Sequence, residues 1–171
     1  TDYRYYSITD LDKLKLIEHY FRPSRAIFLD RDGLINKKMP DGTYVTKWEE
    51  FDFLPGAIDS LRELVRSGAE IYLVSNQRGI ARGHMSRHDL DDIHARMCGV
   101  LSEHSIRLNG FAYCPHDIDD GCRCRKPKPG MIIDLAAHYH INLRNAVMIG
   151  DSESDIQAGE AAGCRTIRIK E

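Results

Sequence analysis

Three short apolar runs decide what this chain can fold into. Ala26-Ile27-Phe28-Leu29 closes on Asp30-Arg31-Asp32-Gly33, Ile71-Tyr72-Leu73-Val74 closes on Ser75-Asn76-Gln77, and Ala146-Val147-Met148-Ile149 closes on Gly150-Asp151. Short apolar runs bounded by polar and turn residues read as buried strands that end at loops. Phe111-Ala112-Tyr113 and Thr166 to Ile169 add two more. Helical patterns separate the runs. Pro55 opens one, with Ile58, Leu61, Leu64 and Val65 on one face and Gly68 at its end. Ser86 opens a second, which carries Leu90, Ile93, Met97, Val100 and Leu101. A third spans Met131 to Tyr139 and a fourth Ile156 to Ala162. No hairpin signal lies between the main strands. Such alternation predicts an α/β fold, a parallel sheet between two helical layers in a Rossmann-like α/β/α sandwich.

The 171 residues suit one such domain, covering 25–171. Residues 1–24 read as an attached helical extension, with Thr9 as cap and Leu11, Leu14, Ile17 and Phe21 at helical spacing. The chain begins with Thr1, as expected of a processed or trimmed protein. A net charge of −2 argues against nucleic acid or an acidic membrane as partner. No apolar run approaches the ~20 residues of a membrane span, and no signal-peptide pattern opens the chain. A monomer in the cytoplasm is expected. His94 and His104 read as packing or surface residues. The polar stretch from Asn36 to Asp52 is long for a connection, and such loops often carry substrate contacts.

In a parallel sheet the carboxyl ends of the strands share one edge. Asp30, Asp32, Ser75, Asn76 and Asp151 therefore converge there, joined by Lys126 from the loop Arg125-Lys126-Pro127-Lys128-Pro129-Gly130. Two carboxylates one residue apart repel unless a cation or a proton relieves them. The pair asks for a divalent metal and offers one acid as nucleophile and another as proton carrier. With a lysine and hydrogen-bond donors nearby, the set suits phosphoryl transfer. Of five cysteines, three fall between residues 114 and 124. Cys114, His116, Cys122 and Cys124 form a Cys-x-His-x₅-Cys-x-Cys pattern that supplies a closed, structural Zn²⁺ site. Its expected task is to stiffen the loop that delivers Arg125 and Lys126. Crowded cysteines in odd number favour a reducing compartment, and Cys98 and Cys164 read as small buried residues.

These four motifs, in order over residues 26–171, resemble those of the haloacid dehalogenase-like (HAD) phosphohydrolases, in the form of the phosphatase branch. The resemblance implies that Asp30 is the nucleophile and forms an aspartyl-phosphate. It implies that Asp32 protonates the leaving oxygen and then activates water. Asp30, the backbone carbonyl of Asp32, and Asp151 would hold Mg²⁺, while Ser75 and Lys126 would grip the phosphate. No separate cap domain is expected. Two HAD families carry such a zinc loop followed by Cys-Arg-Lys-Pro-Lys: the heptose 1,7-bisphosphate phosphatases and the histidinol-phosphate phosphatases. Gln77 to Gly83 and Pro127 to Met131 resemble the heptose family, and the five-residue zinc spacer resembles the histidinol family. The two longer matches outweigh the spacer. The heptose reading implies a small phosphorylated sugar as substrate, contacted by Tyr44, Asn76 and Gln77, with Arg78, Arg82 and Arg125 facing its second phosphate. Ser152 departs from that family, which has Lys after the metal-binding Asp, and Lys37 to Gly42 is longer than expected. A non-catalytic zinc-stabilised module is the competing class. The intact set Asp30, Asp32, Lys126 and Asp151 argues against it.

Overall fold

The computed structural model describes residues 26–40 and 42–169. The extension expected at 1–24 lies outside the described residues. Strands β1 (Ala26–Leu29), β2 (Glu70–Asn76), β3 (Gly110–Cys114), β4 (Val147–Gly150) and β5 (Arg165–Arg168) alternate with helices α1 (Ala57–Arg66), α2 (Arg87–Glu103), α3 (Gly130–Tyr139) and α4 (Glu153–Ala162). The strands form one sheet in the order β3-β2-β1-β4-β5. Every pairing is parallel, as in Ile27 against Ile71 on one side and against Val147 on the other.

Alternation along each strand divides the core into two layers. Phe28, Tyr72, Val74 and Met148 face Met131, Ile132, Leu135 and Ala136 of α3 and Ala158 of α4. Leu29, Ile71 and Leu73 face Leu61 of α1 and Leu90, Ile93, Met97 and Leu101 of α2. Covering both faces is what a parallel sheet requires. Each large side chain so withdrawn from water contributes about 1.5–3 kcal/mol.

Local chemistry moves several boundaries from their predicted places. α1 begins at Ala57, after Gly56 in a left-handed conformation, so Pro55 lies in the preceding turn. α4 begins at Glu153, three residues earlier than its apolar pattern suggested. Ser152 stands at its start: its backbone N–H and its hydroxyl both donate to Asp155 Oδ2 (3.0 and 2.5 Å), and Asp155 N donates to the Ser152 carbonyl (3.2 Å). That arrangement brings Asp155 into the first turn, at the same sheet edge as Asp151. The stretch from Asn36 to Asp52 is a packed excursion. Lys37 N donates to Asp52 O (2.8 Å) and Leu54 N to Ile35 O (3.0 Å), closing its base. Val45 and Phe51 are buried, and Trp48 stacks on Phe51 with centroids 5.1 Å apart.

From central β1 the chain passes to β2 and β3 on one side, and β4 and β5 fill the other. The crevice at this switch point, outside the carboxyl ends of β1 and β4, is where open α/β sheets hold ligands.

Candidate active site

Asp30 follows the last residue of β1 and Asp151 the last residue of β4. Two glycines permit the close approach of their loops. A Cβ on Gly33, whose φ is +92°, would lie 2.6 Å from an Asp151 carboxylate oxygen, and one on Gly150 would lie 2.2 Å from the Asp155 Cβ. Between the acids sits Lys126, 4% exposed. Its Nζ lies 2.8 Å from Asp30 Oδ1 and 2.6 Å from Asp155 Oδ1. It donates to the Val74 carbonyl at 2.8 Å. Burial works to lower the lysine pKa, but Asp30 and Asp155 outweigh it and hold the ammonium above its usual range. Burial, helped by the Asp155 and Asp32 charges and opposed by Lys126, raises the Asp30 carboxyl to about 6.

One carboxylate oxygen from each of Asp30, Asp151 and Asp155 lies within 4.8 Å of the others. Oδ1 of all three is buried without a hydrogen-bond partner, although Lys126 approaches two of them at ion-pair distance. Three carboxylates face one buried ammonium and the half-exposed Lys38, whose Nζ lies 2.6 Å from Asp151 Oδ2. Orphaned, converging hard oxygens fit a divalent cation such as Mg²⁺. Asp155 was not singled out by the sequence reading. Its signal was the Ser152-x-x-Asp155 box directly behind Asp151.

Asp32 points elsewhere. Its Oδ1 accepts from Arg31 Nη2 (2.9 Å) and Asn36 Nδ2 (2.9 Å), and its Oδ2 from Arg31 Nη2 (3.0 Å) and Gln77 Nε2 (3.0 Å). Burial would raise its pKa, but the Arg31 guanidinium beside it wins and holds the carboxyl below its usual range. Arg31 is 1% exposed, sits 6.0 Å from the Phe51 ring centre and meets His94 behind it. Sequence reading missed this arginine. Ser75, 1% exposed, accepts from Gln77 Nε2 at 2.8 Å, and so joins the Asp32 network. Asn76, expected to contact substrate, directs its amide to the Lys126 backbone: Nδ2 donates to the carbonyl (3.1 Å) and Oδ1 accepts from the N–H (3.0 Å).

A cavity of about 270 Å³ opens beside Asp32, walled by Lys38, Tyr44, Asn76, Gln77, Arg78 and Arg125. Arg82 is not in its wall. Arg78 and Arg82 both pair with Asp117, the latter at 3.2 Å, so two guanidinium groups share one carboxylate. Arg125 donates to the His116 carbonyl (3.3 Å), and no carboxylate among the described residues pairs with it. Below lies the second donor set. Cys114 Sγ is 3.5 Å from Cys122 Sγ and 3.2 Å from Cys124 Sγ, and His116 Nδ1 is 3.3 Å from Cys124 Sγ. All four ligand atoms lie within 4.8 Å of one another, and no disulfide joins the sulfurs. Three thiols and one imidazole at this separation fit a closed tetrahedral zinc site.

A doubly wound sheet with Asp-x-Asp after β1, Ser75 just before the carboxyl end of β2, a buried lysine before α3 and acids after β4 defines a phosphatase of the HAD type, a phosphoric monoester hydrolase. A family model described as HAD-hydrolase-like matches residues 123–171. The chain is 38% identical over 146 residues to the D-glycero-beta-D-manno-heptose-1,7-bisphosphate 7-phosphatase of Pseudomonas putida, covering 85% of this chain and 82% of that one. It is 37% identical over 150 residues to the corresponding alpha-heptose enzyme of Mycobacterium tuberculosis, covering 84% and 78%. The crystal structure of D,D-heptose 1,7-bisphosphate phosphatase from B. bronchiseptica, complexed with magnesium and phosphate, superposes with a TM-score of 0.78 at 37% identity, covering 82% of this chain and 78% of that one. The chain belongs to the heptose-1,7-bisphosphate 7-phosphatase family. Among the described residues no helix is long and apolar enough to cross a membrane.

Proposed function

We propose that this protein removes the 7-phosphate of D-glycero-D-manno-heptose 1,7-bisphosphate. One observation carries the reading: carboxylate oxygens of Asp30, Asp151 and Asp155 converge, Lys126 pairs with two of the three, and its neighbour Arg125 lines the adjoining cavity. One phosphate of a bisphosphate is read by the first group and the other by the second. Relatives named for this activity support the choice of substrate.

Asp30, Asp151 and Asp155, with the backbone carbonyl of Asp32, would hold Mg²⁺, which supplies charge neutralisation for the phosphate oxygens when bound. The Asp30 carboxylate attacks phosphorus as the bond to the sugar oxygen breaks, and Asp32, which must enter this step protonated against the pull of Arg31, gives that oxygen its proton. Asp32 then takes a proton from water, whose oxygen attacks phosphorus and releases Asp30 and inorganic phosphate. Lys126 offsets the charge on Asp30 and the phosphate, and Ser75 and Gln77 keep Asp32 in register. Asn76 fixes the Lys126 peptide. Cys114, His116, Cys122 and Cys124 would hold structural zinc beneath Arg125. The unbridged cysteines suit a reducing compartment such as the cytoplasm; the enzyme is read as a monomer with its phosphatase domain at 25–171.

The test compares kcat/KM for both heptose bisphosphate anomers with that for histidinol phosphate. A heptose preference of at least tenfold is expected, and a preference for histidinol phosphate would replace the substrate.

A further inference from the structure

Behind the Asp32 side chain lies a chain of buried polar groups, none of them one of the three converging carboxylates. His94 belongs to α2 and is 8% exposed, stacked on Phe111 with ring centres 5.8 Å apart and set edge-on to Tyr113. Arg31 Nη1 lies 3.4 Å from its Nε2. A guanidinium can only donate, so Nε2 is the acceptor and the ring proton sits on Nδ1. Opposite that contact, Arg31 Nε and Nη2 hold Asp32, and Nη2 also donates to Gln77 Oε1 (3.2 Å). Burying an unpaired guanidinium is costly, and a half-satisfied network is worse than none. Here all three nitrogens of the guanidinium have an acceptor. With one end on His94, the planar fork has one orientation, and it fixes the carboxylate plane of Asp32 at the cavity wall.

We propose that His94 is a positioning residue for Asp32, acting through Arg31. This rests on the reading of Asp32 as the general acid. In that step the Asp32 carboxyl proton passes to the leaving oxygen while the P–O bond breaks and its electron pair goes to that oxygen. A misaligned acid hurts most where the leaving oxygen most needs the proton. An alkoxide leaving group needs it strongly and p-nitrophenolate hardly at all. General acids contribute roughly 10²- to 10⁴-fold, and misplacement by about 1 Å can remove about 10²-fold.

The experiment measures kcat/KM, which reports through departure of the leaving group, on heptose bisphosphate and on p-nitrophenyl phosphate. His94→Phe keeps the ring packing and removes the acceptor; His94→Gln keeps an acceptor. His94→Phe is expected to lose 10- to 100-fold on the sugar, at least five times its loss on the aryl ester, with His94→Gln recovering most of the difference. His94→Asn, too short to reach Arg31, should repeat the pattern if the Phe variant does not fold. Equal losses on both substrates, or no loss, would overturn the proposal. Asp32→Asn runs in parallel. If it too loses equally on both esters, the reading of Asp32 is what fails; if it alone discriminates, only the role of His94 fails.

Discussion

Asp155→Asn perturbs the centre by a single charge at nearly constant shape. The residue is 0% exposed. Its Oδ2 accepts from Ser152 N (3.0 Å) and Ser152 Oγ (2.5 Å), and an asparagine carbonyl retains both contacts. Its Oδ1 faces the Lys126 ammonium at 2.6 Å, where the variant presents an NH₂ group, donor against donor. Removing one partner of a buried ion pair typically costs about 3–5 kcal/mol. Two effects pull toward the lower end. Asp30 still lies 2.8 Å from Nζ, and the mutual repulsion of three carboxylates falls to that of two. A loss of about 3 kcal/mol lowers Tm by roughly 6–12 °C in a domain of this size. The assay is thermal unfolding with and without magnesium, followed by phosphate release. Magnesium should raise the Tm of the wild type at least twice as much as that of the variant, and turnover should fall at least 100-fold. A variant that melts within about 2 °C of the wild type and responds equally to magnesium would refute the assignment of Asp155 to this centre.

Cys122→Ser should release zinc, seen by elemental analysis, and lower Tm, while a weak chelator of Mg²⁺ should stop turnover reversibly with zinc retained. Burial, with the Arg31 charge, lowers the His94 pKa from 6.5 to about 4, against a smaller opposing effect of Asp32. The unfolded chain therefore binds a proton between these values that the folded chain refuses, so stability is present above pH 6.5 and lost on acidification towards 4. The loss for this group is about 2 kcal/mol between pH 7 and 5, and denaturant titrations should show His94→Phe lacking it. Arg125→Ala should cut kcat/KM for the bisphosphate about 10- to 150-fold more than for p-nitrophenyl phosphate, since charge-assisted contacts are worth about 1.5–3 kcal/mol. Equal losses would assign Arg125 to the reacting phosphate or to the fold.

What the sequence made legible was local. The apolar run Ala26–Leu29 and its closing acids declare a strand end whatever surrounds them, and Cys-x-His-x₅-Cys-x-Cys declares a donor set by spacing alone. What it hid was set by distant partners. Asp155 reads as an ordinary helix cap; its burial depends on Gly150 having no Cβ and on Lys126 arriving from another loop. Arg31 reads as a loop charge, and its burial shows only once Gln77 and His94, 46 and 63 positions away, are seen to accept from it. Arg78 and Arg82 read as free cations because Asp117, 39 and 35 positions on, is invisible as their partner. Asn76 reads as a substrate contact and does line the cavity, but the direction of its amide toward the Lys126 backbone is not legible in the sequence.

Covalent capture on Asp30 tests the central claim most directly. Heptose 1,7-bisphosphate carrying labelled phosphate at either position is mixed with enzyme, quenched in acid within one turnover, and the peptides are mapped. Label from the 7-position, and not from the 1-position, is expected on the peptide that contains Asp30, and Asp30→Asn should show none. Label from the 1-position, label on another residue, or rapid phosphate release with no labelled protein would contradict it.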